Sequence, residues 1–158
     1  MKFVCDRGRL NDGLQKVVGV VDPRHVKELL QSVKVEARKD SVILSGTDLE
    51  VGMRIALGGV AVEQPGQMVL PAVRLASIVR ESNDEMMGFA AEEGVCVIEG
   101  KDSRYRVLGQ VTDEFPDIPA FPEGDALEIE GAVIREMIHK TSFAAAPEKM
   151  RYALNGVF

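Results

Sequence analysis

The clearest pattern of hydrophobic and polar positions in the chain lies around residues 42–55. An apolar, β-branched run leads into Ser-Gly-Thr-Asp at residues 45–48, and residues 49–55 alternate beyond it. An apolar run, a tight polar turn and an alternating run predict a β-hairpin. We expect Gly46 to take a positive φ in the turn and Asp48 to bond the backbone two residues on. The return strand is expected to direct one set of side chains to the core, namely Leu49, Val51, Met53 and Ile55.

Three other segments have the spacing of an amphipathic helix. Apolar residues recur three or four positions apart over residues 7–21, 72–81 and 132–145, which predicts a helix in each. Asp6 is placed as the N-cap of the first helix, and Pro71 suits the first turn of the second. The expected inward positions are Leu10, Leu14, Val17, Val18 and Val21, then Leu75, Ile78 and Val79, then Ile134, Met137, Ile138 and Thr141.

Short alternating or β-branched runs bounded by turn residues predict further strands. Besides the hairpin, these strands cover residues 2–5, 32–37, 60–62, 68–70, 89–91, 95–99, 104–111, 127–129 and 153–158. Strands and helices mixed in this way indicate an α+β fold, with two helices packed on antiparallel sheets.

A proline-rich segment divides the chain. Residues 113–124 contain three prolines and no periodicity, as is typical of a linker. After it the order of strand, helix, proline and strand begins again, at a shift of 124 residues. The aligned positions include Leu10 with Ile134, Leu14 with Ile138 and Pro23 with Pro147. This weak repeat predicts a first domain at residues 1–122 and the start of a second at 123–158. The second copy stops inside a predicted strand, so we expect either that the chain is a fragment or that its last ~35 residues pack on something else.

Composition limits the classes of function. The net charge of −6 argues against a protein that binds nucleic acid through its overall field, so any such contact must come from a local patch. Cys5 and Cys96 lie in apolar, strand-like runs, which predicts buried free thiols in a reducing compartment. No stretch suits a signal peptide or a membrane span, so the expected location is the cytoplasm, without a membrane partner.

The sequence contains no recognisable catalytic motif or metal-ligand spacing. His25 and His139 occur in unrelated contexts, and each is expected to be solvated or satisfied locally. The acidic pairs at residues 84–85 and 113–114 are expected to be solvated turns, because acid–base catalysis needs convergent carboxylates. The remaining candidates are cations for contact with DNA, namely Lys16, Arg24, Arg80 and Lys140. The alternative is an ordinary solvated helix face, because Asp12 and Glu136 lie beside the two lysines.

Five short motifs, in order along the chain, resemble those of one known family. They are Met-Lys-Phe at 1–3, Ser-Gly-Thr-Asp-Leu-Glu at 45–50, Leu-Pro-Ala at 70–72, Asp-Glu-Phe-Pro at 113–116 and Arg-Tyr-Ala-Leu-Asn-Gly at 151–156. One motif alone is weak, but five in register over the whole chain are specific. On these residues the chain resembles the bacterial DNA sliding clamps, the β subunits of DNA polymerase III.

The resemblance implies a DNA-clamp fold and a binding protein without a catalytic site or cofactor. In that family each chain has three similar domains, and two chains close head-to-tail into a ring around DNA. Helices line the hole and sheets form the outer wall. The implied partners are double-stranded DNA, the polymerase III catalytic subunit, the clamp loader and a second copy of the full-length protein. A ring holds DNA by topology, so an acidic chain with modest basic lining suffices.

The resemblance also assigns roles to DNA-facing positions. Arg24 matches a DNA-contacting arginine in the loop after the first helix, and Arg80 matches a residue that faces the hole. Two positions depart from the family pattern. Glu148 occupies a position that is polar and DNA-facing in the family, and residues 25–29 replace the family's Leu-Pro-Ile-Leu run. These departures put the DNA contact near Glu148 and the shape of the loop in doubt.

The family's subunit interface would use the strand at residues 104–108. Tyr105 and Val107 would give apolar contact there, and Arg104 and Arg74 would face acidic residues of the partner. Strand pairing would also satisfy the unpaired backbone groups of an edge. The alternative is that Tyr105 and Val107 are ordinary core-facing residues.

The family's pocket for partner peptides would include Arg151 and Leu154. Ala153 replaces a bulkier aromatic residue, and the rest of that pocket lies beyond Phe158. We therefore expect this chain to bind such peptides very weakly or not at all, and to be a monomer or a non-physiological dimer. A different function class remains open: a small α+β enzyme, or a ligand- or peptide-binding domain unrelated to DNA. A deep polar pocket would favour that class, whereas two helices packed on sheets would favour the clamp.

Overall fold

The computed structural model describes residues 1–110, 112–120, 124, 127–145 and 156–158, which form two units, Met1–Pro119 and Ala120–Phe158. The first unit contains, in order, β1 (Lys2–Asp6), α1 (Arg7–Val18), β2 (Ser32–Ala37), β3 (Ser41–Thr47), β4 (Gly52–Gly58), β5 (Ala61–Gln64), β6 (Gly66–Pro71), α2 (Ala72–Glu81), β7 (Met86–Glu92), β8 (Val95–Glu99) and β9 (Arg104–Leu108). The second contains α3 (Gly131–Thr141) and a 3₁₀ turn at Ser142–Ala144. The domain boundary expected after residue 122 stays a prediction, because residues 121–123 lie outside the described ranges.

The first unit consists of two interlocked halves. Each half is a strand, a helix and a three-stranded meander: β1, α1 and β2–β4 in one, β6, α2 and β7–β9 in the other. The strand orders are β5-β1-β7-β8-β9 and β4-β3-β2-β6, so each half gives its first strand to the sheet of the other. All described pairings are antiparallel. The α+β class predicted from the sequence is confirmed.

One aliphatic core joins both sheets to both helices. The helices α1 and α2 pack against each other, α1 also contacts β1, β3 and β4, and α2 contacts β2 and β6. Phe3 of β1 and Phe89 of β7 are paired across the ladder and stack with ring centroids 4.7 Å apart. This contact lies where a strand of one half meets the meander of the other.

The helix α2 has the predicted bounds, whereas α1 is shorter than expected. The Asp6 carboxylate accepts a hydrogen bond from the Arg9 amide at 2.8 Å, which confirms the predicted N-cap. The prediction that α1 continues to residue 21 is wrong, because the helix ends at Val18. Gly19 follows, flanked by β-branched valines, and both residue types weaken a helix. Val21 is nevertheless buried as predicted, although it lies outside the helix.

The hairpin turn lies further along the chain than the sequence suggested. Strand β3 includes Gly46, which has no positive φ, and β4 begins only at Gly52. The expected role of Asp48 is confirmed, because its carboxylate accepts from the amides of residues 50 and 51 at 3.0 and 2.7 Å. The core assignment of Leu49 and Val51 is wrong. Both are exposed in the turn, and Leu49 takes a φ of 77°.

The segment predicted as a linker begins as a packed strap. Phe115 is buried, and the Arg54 guanidinium donates to the carbonyl oxygen of Ile118 at 2.6 Å. Gln67 donates to the Thr112 hydroxyl at 3.0 Å. Residues 112–118 are therefore part of the first unit, and a free linker over the whole of 113–124 is a wrong expectation. The apolar side chains of Phe115 and Ile118 explain why these residues pack.

In the second unit only the helix follows the prediction. Residues 127–129 form no strand, so that expectation is wrong. The helix α3 and its 3₁₀ turn cover Gly131–Ala144, close to the predicted segment 132–145, but no residue of α3 is buried. The inward positions expected there are therefore exposed among the described residues, namely Ile134, Met137, Ile138 and Thr141. Residues 153–155 of the last predicted strand lie outside the described ranges, and residues 156–158 are not in a strand.

Both cysteines are buried free thiols, as predicted. Burial raises the pKa of Cys5 to about 12 and that of Cys96 to about 11, chiefly because the thiolate would lose its hydration. Neither thiol is therefore a reactive nucleophile in the folded chain.

We predict that Gly46→Ala destabilises the first unit. A Cβ at Gly46 would lie 2.7 Å from a methyl of Val17 and 3.1 Å from the Val17 carbonyl oxygen. Overpacking of this kind costs about 1–3 kcal/mol in the free energy of unfolding, measurable by urea denaturation. The control is Gly58→Ala, because nothing lies within 4 Å of a Cβ there, so a change of less than about 0.5 kcal/mol is expected. Equal effects of the two substitutions would contradict the close approach of β3 and α1.

Candidate functional site

The outward faces of α1 and α2 form a polar surface, which we call the helix surface. Lys16 of α1 and Arg80 of α2 are exposed on it, while Leu14 and Val79 point into the core. Arg24 is also exposed, in the loop that follows α1. These three predicted cations are therefore accessible to a ligand.

The charge of the two helices is opposite to that of the whole chain. Helix α1 contains three basic residues and one acidic residue, and α2 contains two and one. Together they carry +3, whereas the chain carries −6, so the residues outside these helices carry −9. Because the chain as a whole is acidic, it can contact an anionic polymer only through a locally positive surface, and these two helices provide one.

Two of the predicted cations are paired with carboxylates on their own helix. The Arg80 Nε lies 2.9 Å from a Glu81 oxygen, and the Lys140 Nζ lies 2.6 Å from a Glu136 oxygen. All four side chains are exposed, and exposed pairs contribute only about 0–1 kcal/mol. Such pairs can open at little cost. Lys16 and Arg24 make no ion pair among the described residues.

Lys140 lies on α3, in the second unit, where it is exposed on the last turn. The helix carries two basic residues and one acidic residue besides His139, so its charge is also positive. Its i, i+4 pairing with Glu136 was visible in the sequence.

Arg9 is a cation of the helix surface that the sequence reasoning passed over. It is exposed on the first turn of α1, and its guanidinium lies 3.4 Å from the Gly58 carbonyl oxygen. A spacing of seven residues, two helical turns, places it on the same face as Lys16. That spacing was the available signal.

Strand β9 is the edge of its sheet in the part of the chain that the structure describes. Arg104 is exposed and pairs with Glu99 at 3.0 Å, and Tyr105 is 36% exposed. Val107 is 0% exposed, so its side chain lies in the core of this chain and cannot supply contact area at the edge. Leu108, at 73% exposure, is the apolar side chain that the sequence reasoning missed there. Arg74 is exposed on α2.

Arg151 and Leu154, the predicted lining of a peptide pocket, lie outside the described residues, as does Glu148. Nothing in the structure bears on these three assignments, and they stay predictions.

An open depression of about 630 Å³ is lined by residues from the α2–β7 loop and the β8–β9 turn, including Asp84. The Asp84 carboxylate accepts from the Lys101 amide at 2.8 Å and from the Ser82 and Ser103 hydroxyls at 2.9 and 3.2 Å. The hydrogen bond from the Lys101 amide makes the largest contribution to holding the pKa of Asp84 below its usual value, and the hydrogen bond from the Ser82 hydroxyl makes the next largest. This carboxylate therefore joins two loops rather than serving as a base.

Within the described ranges, no group of three or more His, Cys, Asp or Glu side chains could hold a metal ion. No helix in the same part of the chain is long and apolar enough to cross a membrane.

Comparison with known proteins gives a consistent result. The family model for the DNA polymerase III beta subunit, N-terminal domain, matches residues 1–119. The beta sliding clamps of Pseudomonas putida and Pseudomonas aeruginosa are 31% and 32% identical to this chain over 161 and 160 residues. Each alignment covers 99% of this chain and 43% of the relative, so the chain spans less than half the length of these proteins.

A solved structure supports the same relationship. The crystal structure of the DNA polymerase III subunit beta from Pseudomonas aeruginosa matches with a TM-score of 0.90 at 29% identity. The match covers 99% of this chain and 43% of that chain.

We predict that Asp84→Asn destabilises the chain at neutral pH. Because the folded pKa lies below the ordinary value of 3.8, the carboxylate's contribution is fully present above about that pH. It is lost as the pH falls through the folded pKa. The unfolding temperature should be measured from pH 7 to pH 2. The variant should unfold at a lower temperature than the parent at pH 7, and this gap should close in acid. Asp102→Asn, in the same turn, is the control. A gap that persists unchanged at pH 2 would rule out the electrostatic explanation.

Proposed function

The chain belongs to the DNA polymerase III beta subunit family through its match to the N-terminal domain, and on this premise we propose that it is part of a sliding clamp. The clamp would be the processivity factor that tethers the replicative polymerase to double-stranded DNA. This chain would supply the first domain and the beginning of the second. The complete protein would form a closed homodimeric ring around the duplex.

The observation that carries the proposal is the positive charge of the helix surface on an otherwise acidic chain. In a clamp, helices face the DNA and sheets face outwards, so the sign of this charge distribution is the one required. Its magnitude suits a protein that must slide. A few exposed cations, of which Arg80 already forms a weak ion pair with Glu81, would exchange from one phosphate to the next with little loss. Phosphate contacts carry no sequence information, so the contact would be independent of sequence.

The other proposed contacts belong to the complete protein. The edge of β9 would pair with a partner subunit through its free backbone groups, with Arg104, Tyr105 and Leu108 exposed along it. Arg74 would flank this interface from α2. Because Val107 is buried, we propose Leu108 in its place as the apolar contact.

Arg151 and Leu154 would take part in binding the polymerase III catalytic subunit and the clamp loader. The protein would act in the cytoplasm as an accessory subunit, without a cofactor or a catalytic site. The runner-up class, a ligand- or peptide-binding domain unrelated to DNA, is distinguished from the clamp by the following experiment.

We predict that the chain binds duplex DNA weakly at low salt, through its helices. A triple variant, Lys16→Glu, Arg24→Glu and Arg80→Glu, should reduce the slope of log K against log salt by about one unit per DNA-contacting residue. Titration of a 30-base-pair duplex followed by amide chemical shifts would measure both the affinity and the residues affected. Shifts are expected in α1, α2 and the loop after α1.

The matched control reverses the same number of charges elsewhere: Lys39→Glu, Lys101→Glu and Arg106→Glu. These residues are exposed on hairpin turns and on the outer side of β9. The control should bind nearly as well as the parent. Equal losses in the two triples would mean that only net charge matters, and shifts confined to the outer strands would contradict the assignment of the helix surface.

A further inference from the structure

The loop at residues 22–27, which we call the Arg24 loop, projects from the body of the first unit. Val26 at its tip is 97% exposed, and Arg24 and Lys27 are exposed on either side. An apolar side chain with this exposure shows that nothing in the described chain packs on the tip. The two cations therefore depend on the loop itself for their positions.

No helix or strand ladder includes the Arg24 loop, so its backbone is held by local bonds. The Asp22 carboxylate accepts from the Arg24 amide at 2.9 Å, and the Asp22 carbonyl oxygen accepts from the His25 amide at 3.2 Å. Pro23 lies between Asp22 and Arg24, and its ring fixes φ there. Together with these two hydrogen bonds it forms one turn at the start of the loop.

His25 holds the second half of the loop. Its imidazole Nδ1 accepts from the Lys27 amide at 3.1 Å, and its carbonyl oxygen accepts from the Gln31 side-chain amide at 2.7 Å. The residue is half-buried. The first bond fixes the backbone between the two cations, and the second joins the loop to the turn that precedes β2.

We propose that His25 is a positioning residue for DNA contact: it holds the Arg24 loop in one conformation, so that Arg24 and Lys27 meet phosphates without first being ordered. The inference rests on the proposed function. Binding by a mobile loop would include the entropy cost of ordering it, and the His25 and Gln31 bonds have already met that cost in the free protein. The residue acts through the backbone, and its ring does not touch DNA.

The substitutions distinguish the effect of the hydrogen-bond acceptor from the effect of the imidazole ring. In His25→Asn, the Oδ1 atom lies the same number of bonds from Cα as Nδ1 does, so it can accept from the Lys27 amide. In His25→Gln the side-chain oxygen is one bond further away and cannot make the same turn. His25→Ala removes the acceptor altogether. Gln31→Met removes the second bond and leaves His25 unchanged.

The experiment measures the Kd of the chain for a fluorescent 30-base-pair duplex at low salt, with amide heteronuclear NOEs for residues 23–27. His25→Ala and His25→Gln should weaken binding roughly three- to tenfold and lower the NOEs, as expected when one or two side chains must be ordered on binding. His25→Asn should restore both measurements. Gln31→Met should change them in the same direction as His25→Ala. Thermal unfolding should be almost unchanged, because the loop is exposed.

A double-mutant cycle distinguishes failure of the inference from failure of the proposed function. In the Arg24→Ala, Lys27→Ala background, His25→Ala should have no further effect on Kd. If the Arg24 and Lys27 substitutions leave Kd unchanged, the DNA-binding role of this loop is wrong. If they weaken binding but His25→Ala does not, or if His25→Asn fails to restore it, the positioning role of His25 is overturned.

Discussion

The exchange of first strands between the two halves of the first unit is the constraint on which the rest of this structure depends. Strand β1 pairs with β7, and β6 pairs with β2, so each sheet is extended by a strand from the other half. The shared core beneath both sheets then fixes α1 and α2 side by side. The relative positions of the cations on the helix surface therefore depend on this interlocking.

Three connections of the first unit are fixed by side chains that bond to nearby backbone groups. Thr47 and Asp48 hold the β3–β4 turn, Asp84 and Ser82 hold the α2–β7 loop against the β8–β9 turn, and Asp22 and His25 hold the Arg24 loop. Except for the bond between Asp84 and the Lys101 amide, these bonds span two to four residues. They order the backbone without burying it, which suits a surface that must be both solvated and well ordered. The carboxylate of Asp84, a conspicuous acidic residue beside a depression, is explained by this role.

How far the sequence could predict the candidate site depends on the range of the interaction concerned. The exposure of Lys16 and Arg80 followed from helical periodicity, because a local repeat decides which face of a helix is apolar. The Asp6 cap and the Asp48 turn were predictable for the same reason. Alternation along β9 places Val107 and Leu108 on opposite faces of the strand. It does not predict that Val107 is buried while Tyr105, on the same face, stays partly exposed, because that difference depends on the packing of the folded chain.

The sequence by itself determined the class of the fold, the bounds of α2, the buried thiols and the family motifs, because these are encoded in residues close together in the chain. Only the tertiary structure decided that Gly46 is a strand residue pressed against Val17, and that Phe115 and Ile118 form a packed strap. Each of these depends on an atom supplied by a distant part of the chain. Periodicity describes which face of an element is apolar. Where the element ends, and which of its residues touch a neighbouring element, depends on how closely the two elements pack in the folded chain.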